Sequence, residues 1–232
     1  MNDRLQPVYT GSAGSGALTG ERNRVLRNTY WLLALSLVPT VLGAWIGVTT
    51  GVMARMGMGL STIIFFAGAF GLMFAIEKFK NSSTGVVLLL GFTFFMGLML
   101  SRLLAAVLGL ANGSSLIMMA FGGTAAVFFA MASLASVIKR ALSNMGKFLF
   151  VGAILLLVAG IINLFVQSSA LMVTLSVIAI GLFSAFMLYD LKRIIDGGET
   201  NYITATLAIY LDIYNVFQSL LALLGIFGGE RE

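Results

Sequence analysis

The sequence contains no cysteine and no histidine. Without cysteine there is no disulfide, no thiolate metal site and no thiol nucleophile. Without histidine the chain lacks the commonest zinc ligand, the commonest general base and the side chain that titrates unperturbed near neutrality. A Ser–His dyad is excluded for the same reason. Any proton chemistry must use carboxylates, tyrosine, lysine or water. Proline is almost absent as well, with two residues, the later being Pro39. Charge is scarce: 10% of the 232 residues are charged, against roughly a quarter in a soluble domain.

What is present instead is apolar. Hydrophobic residues make up 59% of the chain, and its mean hydropathy is +1.01. There is too little polar surface to cover a globule in water, so lipid is the solvent for most of the protein. The formal charge of +5 does not point to nucleic acid, because the basic residues lie in loops between apolar runs and not along one face. That distribution orients a protein in a membrane.

Seven runs are long enough to span a bilayer, whose hydrocarbon core of about 30 Å takes roughly 20 helical residues. They cover residues 29–50, 59–76, 85–110, 115–138, 148–166, 170–195 and 202–227. The expected architecture is an all-α membrane protein of seven transmembrane helices, with a seven-helix domain over 29–227. Residues 1–28 read as a flexible cytoplasmic tail, because TGSAGSGALTG cannot bury enough apolar surface to order itself. The tail lacks the basic-then-apolar order of a signal peptide and is expected to be retained. Residues 228–232 form a short C-terminal tail.

Orientation follows from counting. With the N-terminus inside, the inner segments hold Arg4, Arg22, Arg24, Arg27, Lys78, Lys80, Lys139, Arg140, Lys147, Lys192 and Arg193. The outer side holds Arg55, Arg102 and Arg231. An alternating seven-span arrangement satisfies the positive-inside rule and places the C-terminus outside. Arg102, near an outer helix end, is expected to snorkel to that interface.

Gly43, Gly47 and Gly51 form a small-xxx-small ladder on the first span. Such a ladder lets helix backbones approach closely where packing replaces the hydrophobic effect. It reads either as packing within the monomer, the plainer alternative, or as a homo-oligomer face.

The seventh span, TATLAIYLDIYNVFQSLLALLG, is the polar one. Asp212, Asn215 and Ser219 share one face, and Tyr210, Tyr214 and Gln218 form a second stripe. Each unpaired polar group costs several kcal/mol in hydrocarbon. The seventh helix is therefore expected to be central and surrounded by the other six. An acid inside a membrane bundle is rare and is a functional hypothesis by default. The bland alternative is a protonated Asp212 carboxyl hydrogen-bonded to Tyr or Asn. Its expected acidic neighbour is Asp190 in FMLYDLKRIID, on the preceding antiparallel span; by helix rise the two are offset by about 5 Å. Asp190 could equally be an edge residue paired with Arg193. Two carboxylates in contact would share a proton and titrate as a unit. They fall short of the six to eight oxygens of a tight Ca²⁺ site and suit weak, transient Ca²⁺ contact.

The strings YLDIYNVFQSLLALLG, LYD and GGTAAVFFA are similar to those of the Bax inhibitor-1 family of membrane proteins. VLRNTYWLLALSL and DGGETNYITATLAIYL resemble its bacterial YccA-like branch, and the likeness runs from about residue 24 to 227. This resemblance implies a last helix enclosed by two groups of three. It implies that the Asp pair, here Asp190 and Asp212, acts as a pH sensor and gate for a cation leak, chiefly Ca²⁺; from the polarity of the seventh span itself, Tyr210, Tyr214, Asn215 and Gln218 are the expected polar support. It implies no cofactor beyond a permeant Ca²⁺ ion. Its branch implies association in the bacterial inner membrane with the membrane-anchored protease FtsH, whose activity such proteins modulate, and with HflK–HflC. The family pattern can add an acid in the second span and a basic lock near its inner end. Here residues 60–76 hold no acid, and Lys78 and Lys80 stand nearest the lock. An enzyme is not expected. Asp212 lacks the Gly-x-Gly-Asp context of intramembrane aspartyl proteases, and no proline follows Pro39 to supply their Pro-Ala-Leu element.

Overall fold

A computed structural model of the chain describes residues 13–140, 142 and 144–229, with side chains from residue 20 onward. Among these residues there are eight helices and no strand: α1 (Ala13–Thr50), α2 (Val52–Arg55), α3 (Met58–Phe79), α4 (Ser83–Leu108), α5 (Gly113–Val137), α6 (Met145–Val166), α7 (Ser169–Ile195) and α8 (Tyr202–Gly229). All but α2 are long and apolar enough to cross a membrane. The seven expected spans are all present, with ends moved by a few residues. The single-turn α2 follows Gly51, whose φ of 65° ends α1 in a conformation that glycine adopts without strain.

The expected tail is corrected at its C-terminal end. Residues 13–28 belong to α1, while residues 1–12 lie outside the described residues, as do 230–232 of the short C-terminal tail. The physical reason is in ALTGERNRVLRN, where Ala, Leu, Glu and Arg all favour helix. Extending a helix that already exists avoids the cost of nucleating one. At 38 residues, α1 is about 57 Å long by helix rise, well beyond a hydrocarbon core of about 30 Å.

The most extensive seam joins α1 to α4. Added methyl groups show how tight it is. One at Gly43 would strike the Phe94 carbonyl, one at Gly47 the Ser101 side chain, and one at Gly97 the Thr40 carbonyl. Gly43 and Gly47 of the ladder thus pack inside the monomer, while a Cβ on Gly51 would meet only Arg55 of α2. Pro39 sits within α1 and removes one backbone donor. Beside it, the Thr40 hydroxyl bonds the Ser36 carbonyl at 2.9 Å.

α8 lies against α7, α5, α1 and α4, with a lighter contact to α3. Buried along its length are Ile203, Thr206, Ile209, Tyr210, Asp212, Tyr214, Val216 and Leu221. α6 packs on the far side of α7. A cleft of about 530 Å³ lies between α6 and α8, lined by residues of both and of α7. The expected enclosure of α8 by all six other spans is not confirmed, because α6 packs on α7 and makes no extensive seam with α8. Phe148 and Phe165 of α6 are 79% and 84% exposed, as suits a helix facing lipid. α6 carries little polarity of its own to hide, so it has no need of a central place.

Candidate functional site

The turn between α7 and α8 is built to hold two helix ends. α7 stops in a Schellman motif: the Gly198 N–H donates to the Arg193 carbonyl at 2.8 Å and the Gly197 N–H to the Ile194 carbonyl at 3.1 Å. Gly197 takes φ 80°, which the motif requires and a side chain would strain. α8 starts on Asn201, whose Oδ1 accepts from the Ile203 and Thr204 amides at 2.9 and 3.2 Å. The Asn201 amide nitrogen donates to the Lys80 carbonyl and to Asn81 Oδ1, both at 2.9 Å. That ties the hairpin to the α3–α4 turn.

Two further side chains fasten the same end. Arg22 of α1 donates through Nε to the Ile195 carbonyl at 2.9 Å, and its Nη2 donates to the same oxygen. A cation on the last carbonyls of α7 is favourable both as a cap and against the helix dipole. Lys192, buried despite its charge, donates to Asp196 Oδ1 at 2.5 Å. Arg22 and Asn201 escape notice in the sequence. Their partners are distant in the chain, and only the NY-I-T order of a capped helix start hints at Asn201.

Above this closed end stand the two acids. Asp190 is half-buried on α7 and Asp212 is 4% exposed on α8. The two carboxyl groups are near enough for each to feel the other's charge. The alternatives weighed from the sequence are occupied elsewhere. Arg193 bridges to Glu199 at 3.0 Å, and among the described residues Asp190 has no salt bridge. Tyr210 and Tyr214 point to the opposite side of α8. The Tyr210 hydroxyl meets Thr40 Oγ1 at 2.9 Å, and Tyr214 donates to the Met96 carbonyl at 3.2 Å. Asn215 donates to the Leu211 carbonyl one turn back at 2.7 Å. Asp212 Oδ2 is buried with no hydrogen-bond partner.

Of the expected supporting residues, the structure thus brings none directly onto the acid pair. Tyr210 and Tyr214 lock α8 to α1 and α4. Gln218 is exposed and lines the cleft facing α6. Near the C-terminal end of α3, Lys80 pairs with Glu77, and Lys78 lies 5.7 Å from the Phe79 ring centroid. Arg102 reaches Ser61 Oγ at 3.4 Å. Among the described residues no three acidic side chains gather as a metal site. Chemically, the pair can hold and release protons and can offer oxygens to a passing cation, and it carries no nucleophile or base beyond the carboxyls themselves.

The sequence model of the family described as "Inhibitor of apoptosis-promoting Bax1" matches residues 22–229. A membrane protein of Vibrio cholerae is 39% identical over 224 residues, covering 95% of this chain and 96% of that one. The Escherichia coli K12 protein named "Modulator of FtsH protease YccA" is 37% identical over 203 residues, covering 88% and 90%. Its counterpart in Escherichia coli O6:H1, also 37% identical with the same coverage, is named "Inner membrane protein YccA". None of these names describes an enzyme.

Proposed function

This chain belongs to the Bax inhibitor-1 family, and on that premise we propose that it is a non-enzymatic modulator of an FtsH-type membrane protease. The observation that carries the reading is the likeness over nearly the whole chain to a relative named for that role. The protein would act in the bacterial inner membrane, with HflK–HflC in the same assembly. Its N-terminus would be cytoplasmic and its C-terminus outside, as the segregation of basic residues favours. The helical start of α1, held to α7 through Arg22, would present the preceding residues to the protease.

The test is the lifetime of an FtsH membrane substrate in cells lacking their own YccA. Supplying this chain should change that lifetime, and deleting residues 1–20 should remove the effect. A lifetime indifferent to the full chain ends the reading; indifference to the deletion alone removes the N-terminal segment from the mechanism.

A second reading coexists with the first: a pH-sensitive Ca²⁺ leak gated by Asp190 and Asp212. It is favoured by two carboxyls near enough to feel each other's charge, one of them buried with an oxygen that has no hydrogen-bond partner among the described residues. Facing charges between α7 and α8 would repel when the shared proton is lost, separating the helices or drawing in a cation. Ca²⁺ flux into liposomes across a pH series tests it, and protein that passes no Ca²⁺ at any pH ends it.

A further inference from the structure

The cleft between α6, α7 and α8 is unlike the rest of the membrane-facing surface. Its wall is mostly apolar, with Leu156, Leu164 and Leu175 among its residues, but it also carries Gln167, Gln218 and Ser219 and no charged side chain. Gln218 stands about 24 Å from Tyr202 and about 17 Å from Gly229 by helix rise, which is well inside any bilayer the helix crosses. The amide is exposed there, and no side-chain hydrogen bond holds it among the described residues. An exposed amide at that depth is costly against acyl chains and is tolerated where it lines a water-filled cavity. The opposite surface of α6 shows the contrast, with Val158, Ile162 and Phe165 exposed and wholly apolar.

The polar groups also continue inward. Ser219 lies on the α8 face shared with Asn215 and Asp212, each about one turn further along. On the other wall Gln167 marks the α6–α7 turn, at the end of the bundle opposite the Arg22–Ile195 clamp, and Ser176 lies about two turns along α7. We propose that this cleft is a water-filled vestibule, open at the α6–α7 end, which brings water and small hydrated cations to the Gln218–Ser219 level of α8. Asn163, Ser168 and Ser176 are engaged with backbone groups, so Gln167 and Gln218 would be the side chains that meet a small hydrogen-bonding solute, without holding it. The proposal stands independently of the protease reading.

The absence of native cysteine gives a silent background for testing it. Single variants Gln218→Cys, Ser219→Cys and Gly160→Cys are reconstituted and exposed to a membrane-impermeant sulfonate thiosulfonate reagent. Val158→Cys and Phe165→Cys serve as lipid-facing controls. Cleft positions should react at least about tenfold faster than the controls, since thiol reactivity needs the solvated thiolate. Equal rates at cleft and control positions, or labelling of the cleft by a lipid-soluble maleimide alone, overturn the vestibule. Gly160 has open space around it, so Gly160→Trp should fill the cleft without disturbing α6. Combined with Gln218→Cys it should suppress labelling; unchanged labelling would mean that the reagent arrives by another route. Three independent cysteine positions keep the result readable if one variant does not fold.

Discussion

Two seams hold the central part of this molecule, and they are made in opposite ways. The α1–α4 seam is glycine-tight: Gly43 and Gly97 bring backbone against backbone, and Gly47 makes room for the Ser101 side chain. Its hydroxyls at Ser36, Thr93 and Ser101 are satisfied by carbonyls of their own helices. The α7–α8 seam instead encloses two acids, one with an unpartnered oxygen. In lipid there is no hydrophobic gain from joining helices, so close packing is what stabilises a seam. The first seam has spent its surface on stability. The second gives some up to keep ionisable groups inside.

The largest break in this contrast should come from Gly97→Leu. Its side chain would displace Thr40 of α1, and overpacking should cost about 3 kcal/mol or prevent folding; thermal unfolding in detergent measures it. At the other seam, Asp212→Asn and Asp190→Asn preserve shape and remove the titrating group. Both should fold, with the pH dependence of liposomal Ca²⁺ flux lost. A flux profile unchanged by either would separate the acids from gating. Tyr210→Phe removes the bond to Thr40 on the α1 side of α8. It should cost about 1 kcal/mol while leaving that pH profile as it was. An altered profile would mean that the two sides of α8 are not separate in role. Arg22→Ala should have the smallest effect, about 0.5 kcal/mol for a helix-end cation, seen as faster amide exchange around Ile195.

Much of this was legible in advance because lipid imposes simple rules. Seven apolar runs had to be helices, and a run as polar as TATLAIYLDIYNVFQ had to lie mostly inside. Antiparallel connection by a short turn sufficed to bring Asp190 near Asp212. The parts that escaped depend on information a local pattern does not hold. Composition around Gly11–Gly20 speaks for disorder, yet α1 carries on to Ala13 because a formed helix extends cheaply. The tyrosine stripe was readable as polar but not as aimed at α1 and α4, since that needs the register of Thr40 and Met96. The outer position of α6 reflects which of several apolar helices packs best, a choice periodicity does not encode.

The grip of Arg22 on the Ile195 carbonyl makes a leash of the first helix. Hauling on the amino-terminal stretch would tug, weakly, at the hairpin that bears both acids.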